Sequence, residues 1–158
     1  MSVIKRPLTT HELFDEFLRS NRKRRTVERF AILERVGNTT GHFSAESLFE
    51  IMQNDGYHVS PTTVYSTLEL LVECGLVKRH RFNNKASIYE RASGSASNHH
   101  HLICSMCGKI KEMRDSDIDT IIKNKRFPAF TQTSFALNIY GICSTCTRKQ
   151  RREKKLKK

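Results

Sequence analysis

Cys104-x-x-Cys107-Gly108 and Cys143-x-x-Cys146 are two copies of one chemical device. A Cys-x-x-Cys spacing lets both thiolates of a tight turn reach the same ion, and Gly108 can take the backbone geometry that follows the turn. Two such pairs supply four soft ligands, the set that a tetrahedral zinc ion prefers. A complete thiolate shell leaves no position for a substrate, so the expected role is structural. A redox Cys-x-x-Cys competes with this reading, but redox chemistry needs one pair, not two. The fifth cysteine, Cys74, stands alone before Gly75 and reads as a small packed residue.

The first knuckle lies inside NHHHLICSMCGK, residues 98–109, which also holds three histidines. On a strand over 99–103, side chains alternate, so His99 and His101 face one way and His100 the other. Imidazoles at i and i+2 can share a metal, and the strand would be tied down at Cys104. The stretch therefore reads as two sites. Surface histidines beside a zinc knuckle are the competing account. Further ligands would have to come from elsewhere: Glu90 at the end of a strand, Glu112 five positions after Cys107, and His42 in GHFSAE. Each alone is unremarkable.

These groups need elements to hold them. Thr9 or Thr10 can cap a short helix, HELFDEFLRS. Val27, Phe30, Ile32, Leu33 and Val36 make a helical stripe that Gly37 ends. Ser44 caps a further helix whose apolar face is Ala45, Leu48, Phe49 and Met52, stopped by Gly56. In SPTTVYSTLELLVECGLV, Ser60 is the N-cap and Pro61 takes the first helical position, where its missing N–H costs nothing. Val64, Leu68, Leu71 and Val72 are its buried stripe, with Gly75 as C-cap. Two strands follow, LVKRHRF and ASIYER, with a hairpin turn at Asn83 and Asn84. Three helices and a two-stranded wing describe a winged helix-turn-helix. Thr62, Thr63, Tyr65, Ser66 and Thr67 would then lie at the start or on the outer face of the recognition helix, able to reach base edges and phosphates. ASGSASN, residues 92–98, is small and polar and reads as a domain boundary. Beyond it come short strands (HHLIC, KIKEM), a helix over about 115–125 and a strand, TSFALNIYG. That second unit of about fifty residues is too small to bury much core alone, and needs a metal, a partner subunit, or both.

Charge points the same way. The chain of 158 residues carries 28 Lys and Arg against 16 Asp and Glu, a net charge of +12. The last twelve residues, TRKQRREKKLKK, contribute +7 of it, and RSNRKRR at 19–25 holds five basic residues and no acid. Basic runs can meet phosphate; the second leads straight into a patterned helix, and the tail reads as disordered with sequence-independent DNA affinity. No apolar run approaches membrane-spanning length and the N-terminus lacks a signal peptide, so a soluble cytoplasmic protein without structural disulfides is expected.

HFSAESLF, SPTTVYSTLELLVECGLVKRH, HHHLICSMCGK and YGICSTC together resemble the ferric uptake regulator (Fur) family of metal-dependent transcriptional repressors, over residues 24–146. The resemblance implies an α+β chain: a winged-helix DNA-binding domain at 1–91, a hinge at 92–98 and an α/β dimerisation and metal-binding domain at 99–146; the basic tail at 147–158 is read from its composition alone. It implies a homodimer on palindromic double-stranded DNA operators, no membrane, no small-molecule substrate and no catalytic residues. By position, Cys104, Cys107, Cys143 and Cys146 match the structural zinc site. His42, Glu90, His99 and His101 match the sensory site, which Glu112 can join; iron is the first candidate for its ion, zinc or manganese the others. Tyr65 matches a base-reading tyrosine, and Arg24, with Arg25 beside it, lies where a basic residue enters the minor groove.

The chain also departs from the family. Ser66 stands where arginine is common. Members with a further metal site carry histidines at the positions of Asn98 and Phe135, so His100 and Asp119 are what remains of that site. Two residues are inserted between Glu90 and His99, and the tail is not a family feature. Glutamate rather than aspartate at Glu90 argues for metal sensing over peroxide sensing. Three other readings stay open: a haem- or peroxide-responsive regulator using the histidines or Cys74, a metal-indifferent DNA binder with structural zinc, and a zinc enzyme acting on nucleic acid. The last lacks the His-x-Glu and Pro-Cys-x-x-Cys of deaminases.

Overall fold

The computed structural model describes residues 6–82, 86–92, 99–133 and 135–156. The chain forms two compact units, Met1–Ala92 and Ser93–Lys158. The expected turn at Asn83 and Asn84, and the hinge at 93–98 with Asn98, lie outside the described residues.

The first unit is helical with a small sheet: α1 (Thr10–Ser20), α2 (Val27–Asn38), β1 (His42–Ser44), α3 (Ala45–Asn54), α4 (Pro61–Glu73), β2 (Val77–His80) and β3 (Ile88–Arg91). Three of its four helices, α1, α3 and α4, start where a side-chain cap satisfies free amides; Thr26 ahead of α2 makes no such bond. Thr9 and Glu12 form a reciprocal capping box on α1, Ser44 and Ser47 do the same on α3, and Ser60 caps α4 ahead of Pro61. Gly75 follows α4 at φ +77, a left-handed turn that a side chain would strain. Phe14, Leu18, Ile32, Leu33, Val36, Leu48, Met52, Val64, Leu68 and Leu71 interlock into one apolar core.

Three expectations need correction. The wing has three strands, in the order β1-β3-β2, because His42, Phe43 and Ser44 pair antiparallel with β3. A three-residue strand is too short for alternation to announce it. Thr67 is fully buried instead of lying on the outer face of α4, since it follows Val64 at i+3 and precedes Leu71 at i+4. Val27 is 84% exposed, so the α2 stripe begins later, and Gly37 lies inside that helix.

The second unit holds β4 (His100–Cys104), β5 (Ile110–Met113), α5 (Ser116–Asn124), β6 (Asn138–Gly141) and α6 (Ser144–Leu156). β4 is the central strand, antiparallel to β5 and parallel to β6. Asp115 caps α5 by accepting from the amides of Asp117 and Ile118. The tail expected to be disordered from residue 147 instead continues α6 to Leu156. Apolar burial is sparse. Ile103 and Cys104 are the buried apolar residues among those described, α5 buries none, and Ile121, Phe130 and Ile142 are exposed. Among the described residues no helix is long and apolar enough to cross a membrane.

Candidate metal centres and DNA-facing surface

Sheet register builds a carboxylate–histidine cluster in the first unit. Glu90 sits on the central strand β3, opposite His42 on one side and Lys78 on the other. Directly paired residues project from the same face, and so does the diagonal neighbour two positions on, here His80. The Glu90 carboxylate, 5% exposed, therefore meets His42 Nε2 at 3.1 Å and His80 Nε2 at 3.2 Å, with Lys78 Nζ at 3.9 Å. His80 was not a sequence candidate; its position two residues past Lys78 on a paired strand was the signal that could have found it. Its ring stacks on Phe82 at 5.4 Å, nearly parallel, which fixes its plane. Two arginines seat the sheet. Arg79 Nη1 donates to both Glu69 oxygens on α4, at 2.5 and 2.6 Å, and Arg91 Nη1 donates to the Gly37 carbonyl of α2 at 2.7 Å.

The second unit carries a histidine pair. His99 and His101 bring their rings within 4.9 Å, edge to face, while His100 points to the opposite side. His101 lies between Glu112 on β5 and Asn138 on β6, its partners in register. Its Nδ1 is 3.2 Å from Asn138 Oδ1. With the proton on Nδ1 it donates to that amide oxygen, and Nε2 keeps a lone pair for a metal. Asn138 is a second residue that sequence reasoning passed over.

His100 is fully buried against Phe135, ring centroids 5.5 Å apart, with Nε2 3.3 Å from Asp119 Oδ1. Neither atom is in hydrogen-bond geometry. Phe135 gives the pair a carbon wall where another nitrogen donor would be needed to build a site.

The four thiols converge at the far end of β4. Cys104 ends the strand. Cys107 lies in the turn to β5, where Gly108 takes φ +76 and its N–H donates to the Cys104 carbonyl at 2.8 Å. Cys143 follows β6, and Cys146 lies in the first turn of α6. All four Sγ atoms lie within 4.8 Å of one another, and Cys107 and Cys143 are 3.8 Å apart. Zinc–sulfur bonds of about 2.3 Å in a tetrahedron put sulfurs about 3.8 Å apart, against about 2.0 Å in a disulfide. The donor set fits a zinc ion. The backbone supports thiolates there: the Cys143 N–H, 3.3 Å from Cys104 Sγ, and then the Cys107 N–H pull the Cys104 thiol down to about 6. The Cys146 amide likewise lowers Cys143. Cys146 is pushed up to about 12, first by its hydrogen bond to Cys143. Four neighbouring thiols do not all ionise without a cation among them.

Cys74 is half-buried against the core, and burial pushes its thiol up, the reverse of a reactive cysteine.

On α4, Thr62, Tyr65 and Ser66 are exposed and Thr63 is half-buried. Thr63 is spent on the cap: its N–H and hydroxyl both meet Ser60 Oγ. Tyr65 Oη donates to Glu46 in the first turn of α3, which raises the phenol and lowers the carboxylate. Glu46 therefore holds the tyrosine and is a third residue missed from sequence. Arg25 pairs with Asp15, which also takes Arg19 at 2.9 Å. Arg24 is exposed, and its carbonyl accepts from Arg29.

The ferric uptake regulator family model matches residues 20–140. The ferric uptake regulation protein of Legionella pneumophila is 36% identical over 123 residues, 77% of this chain and 89% of that protein. The peroxide operon regulator of Bacillus subtilis is 30% identical over 146 residues, 90% of this chain and 99% of that one. The structure of the Francisella tularensis ferric uptake regulator with iron superposes with a TM-score of 0.67 at 28% identity, covering 78% of this chain and 94% of that one. An α+β fold with a winged helix, a four-thiol cluster, a nitrogen–carboxylate donor set, and a family match across both units lead to one conclusion: this chain belongs to the ferric uptake regulator family.

Proposed function

We propose that this chain is a metal-responsive, DNA-binding transcriptional repressor of metal homeostasis, cytoplasmic and without enzymatic activity. The observation that carries the reading is the presence of two donor sets of different chemistry. Cys104, Cys107, Cys143 and Cys146 would hold a structural zinc. His42, Glu90, His99 and His101, with Glu112 as a further donor, would hold an exchangeable divalent ion, since imidazole and carboxylate accept borderline metals reversibly. Iron is the first candidate: the Legionella and Francisella relatives are named for ferric uptake, and the Francisella structure holds iron. In this reading metal occupancy would be linked to the DNA-binding form. An ion preferring that form about a hundredfold shifts the equilibrium by about 2.7 kcal/mol.

A homodimer would place two α4 helices on a palindromic operator, with Thr62, Tyr65 and Ser66 toward the DNA, Thr63 beside them at the cap, and Arg24, with Arg25 beside it, where a basic residue enters the minor groove. Tyr65 would exchange Glu46 for DNA. The exposed Ile121, Phe130 and Ile142 of the second unit supply apolar surface for the partner subunit.

The test is operator binding with metal content assayed in the same samples, before and after mild chelation and on readdition of single metals. One retained zinc per chain, with affinity restored by one metal, is the expected result. His99→Ala and His101→Ala should keep zinc and lose that response. Affinity indifferent to every metal overturns the sensor. The similarity to the Bacillus subtilis peroxide regulator favours a second reading, peroxide response through the same histidines. Loss of DNA binding on peroxide treatment of the iron-loaded protein would select it.

A further inference from the structure

Helix α6 has no apolar stripe. Over 148–155, six of eight residues are basic and one is acidic, and every residue from Arg151 to Lys155 is exposed. At 13 residues it sits at the length where isolated helices are marginal. Its own charges work against it. Arg148 neighbours Arg151 and Arg152, and Arg151 neighbours Lys154 and Lys155, at repulsive i+3 and i+4 spacings. Lys149 with Glu153 is the attractive pair, in the less favourable order.

What supports the helix lies at its start. Cys146 is in its first turn and Cys143 just precedes it, both in the four-thiol cluster. Thr147 donates twice to the Cys143 carbonyl, from N–H at 2.9 Å and Oγ1 at 3.2 Å. The first turn is the costly step of helix formation, and here the cluster fixes it. The geometry then sorts the charges. Cys146, Thr147 and Gln150 are half-buried on one side. Arg148, Arg151, Arg152 and Lys155, spaced i, i+3, i+4 and i+7, form a stripe on the other.

We propose that α6 is a duplex-DNA contact, a basic helix nucleated by the cysteine knuckle that meets phosphates without reading bases. The inference rests on the DNA-binding reading above but not on operator specificity. The helix is about 20 Å long, and duplex DNA offers a negative charge about every 1.7 Å, so the stripe and the phosphate array match in charge and length. An anionic membrane also presents phosphates, but a surface-bound helix needs an apolar face, which α6 lacks.

The experiment uses the full-length, zinc-loaded protein and a random-sequence duplex, so failure of operator recognition is separable from failure of this contact. The variant Arg148→Gln, Arg151→Gln, Arg152→Gln, Lys155→Gln should flatten the log–log salt dependence of binding by about 0.9 for each phosphate no longer neutralised, on the order of 3 to 4 in all. Gln150→Pro keeps every charge and all four cysteines but breaks the helix; it should retain zinc and also flatten the slope. A wild-type slope in the fourfold variant overturns the proposal. A flattened slope there with a wild-type slope in Gln150→Pro overturns the helical contact in favour of a flexible polycation. An unchanged DNA slope, with binding to anionic phospholipid vesicles that the fourfold variant loses, overturns it in favour of a membrane surface.

Discussion

The two units solve the problem of staying folded by different means. The first interlocks three capped helices, α1, α3 and α4, and the uncapped α2 around Leu48, Met52, Leu68 and Leu71, with a sheet pinned to it by Arg79 and Arg91. The second has two buried apolar residues among those described and leaves Phe130 70% and Ile121 66% exposed. Hydrophobic burial is the main favourable term in folding, so the first unit has its stability built in. On the reading proposed above, the second draws it from coordination and from a partner's surface. A unit stabilised by a ligand can transmit the ligand's presence, because binding free energy is folding free energy.

The sharpest way to break this comparison is to remove the structural metal. In Cys143→Ser/Cys146→Ser, or after strong chelation, the second unit should lose hydrogen-exchange protection while the first keeps it. Structural zinc is worth on the order of 10 kcal/mol to small domains. Protection retained in both units would show that the thiols are not what holds the second. The converse change, Leu68→Ala, should destabilise the first unit by about 3 kcal/mol in urea denaturation, with zinc stoichiometry unchanged; loss of zinc would mean the units are not separate in stability. Asn138→Ala should weaken the exchangeable metal about 10- to 100-fold, as outer-sphere partners of metal-binding histidines do, read by competitive metal titration with the structural zinc still bound. Equal affinity would mean that Asn138 does not orient His101. Smallest of the four, Gly75→Ala places a side chain at φ +77 with nothing within 4 Å of the added carbon. Backbone strain alone should cost about 1 kcal/mol, confined to the first unit's melting.

Local chemistry was legible from the chain alone. Cys-x-x-Cys spacing depends on one turn, so the four thiols could be named as a set before any fold was known, and they do converge. Caps at Ser44 and Ser60 and the alternation of His99, His100 and His101 are likewise short-range. The helical stripes gave an α+β winged-helix chain because period and burial go together over ten or more residues. What failed was in one case the phase of a helix and otherwise non-local. Thr67 looked polar and outward, but the phase of α4 turned it inward, with its hydroxyl buried.

Glu46 and Asn138 could not be singled out because nothing in their own neighbourhoods marks them, and the spacing of His80 from Lys78 marks it only once the pairing of β2 with β3 is known. His80 reaches Glu90 through the register of β2 on β3, Glu46 reaches Tyr65 from α3 to α4, and Asn138 reaches His101 across 37 positions. The sequence by itself determined which donor atoms exist, which elements carry them, and that the chain is strongly basic, because these follow from residue type and spacing of a few positions. Only the tertiary structure decided that His42 lies on a strand facing Glu90, that the basic tail starts as a helix at the cysteine knuckle, and that one unit is filled while the other is bare. Pairing register and burial are properties of segments far apart in the chain, and no local pattern encodes them.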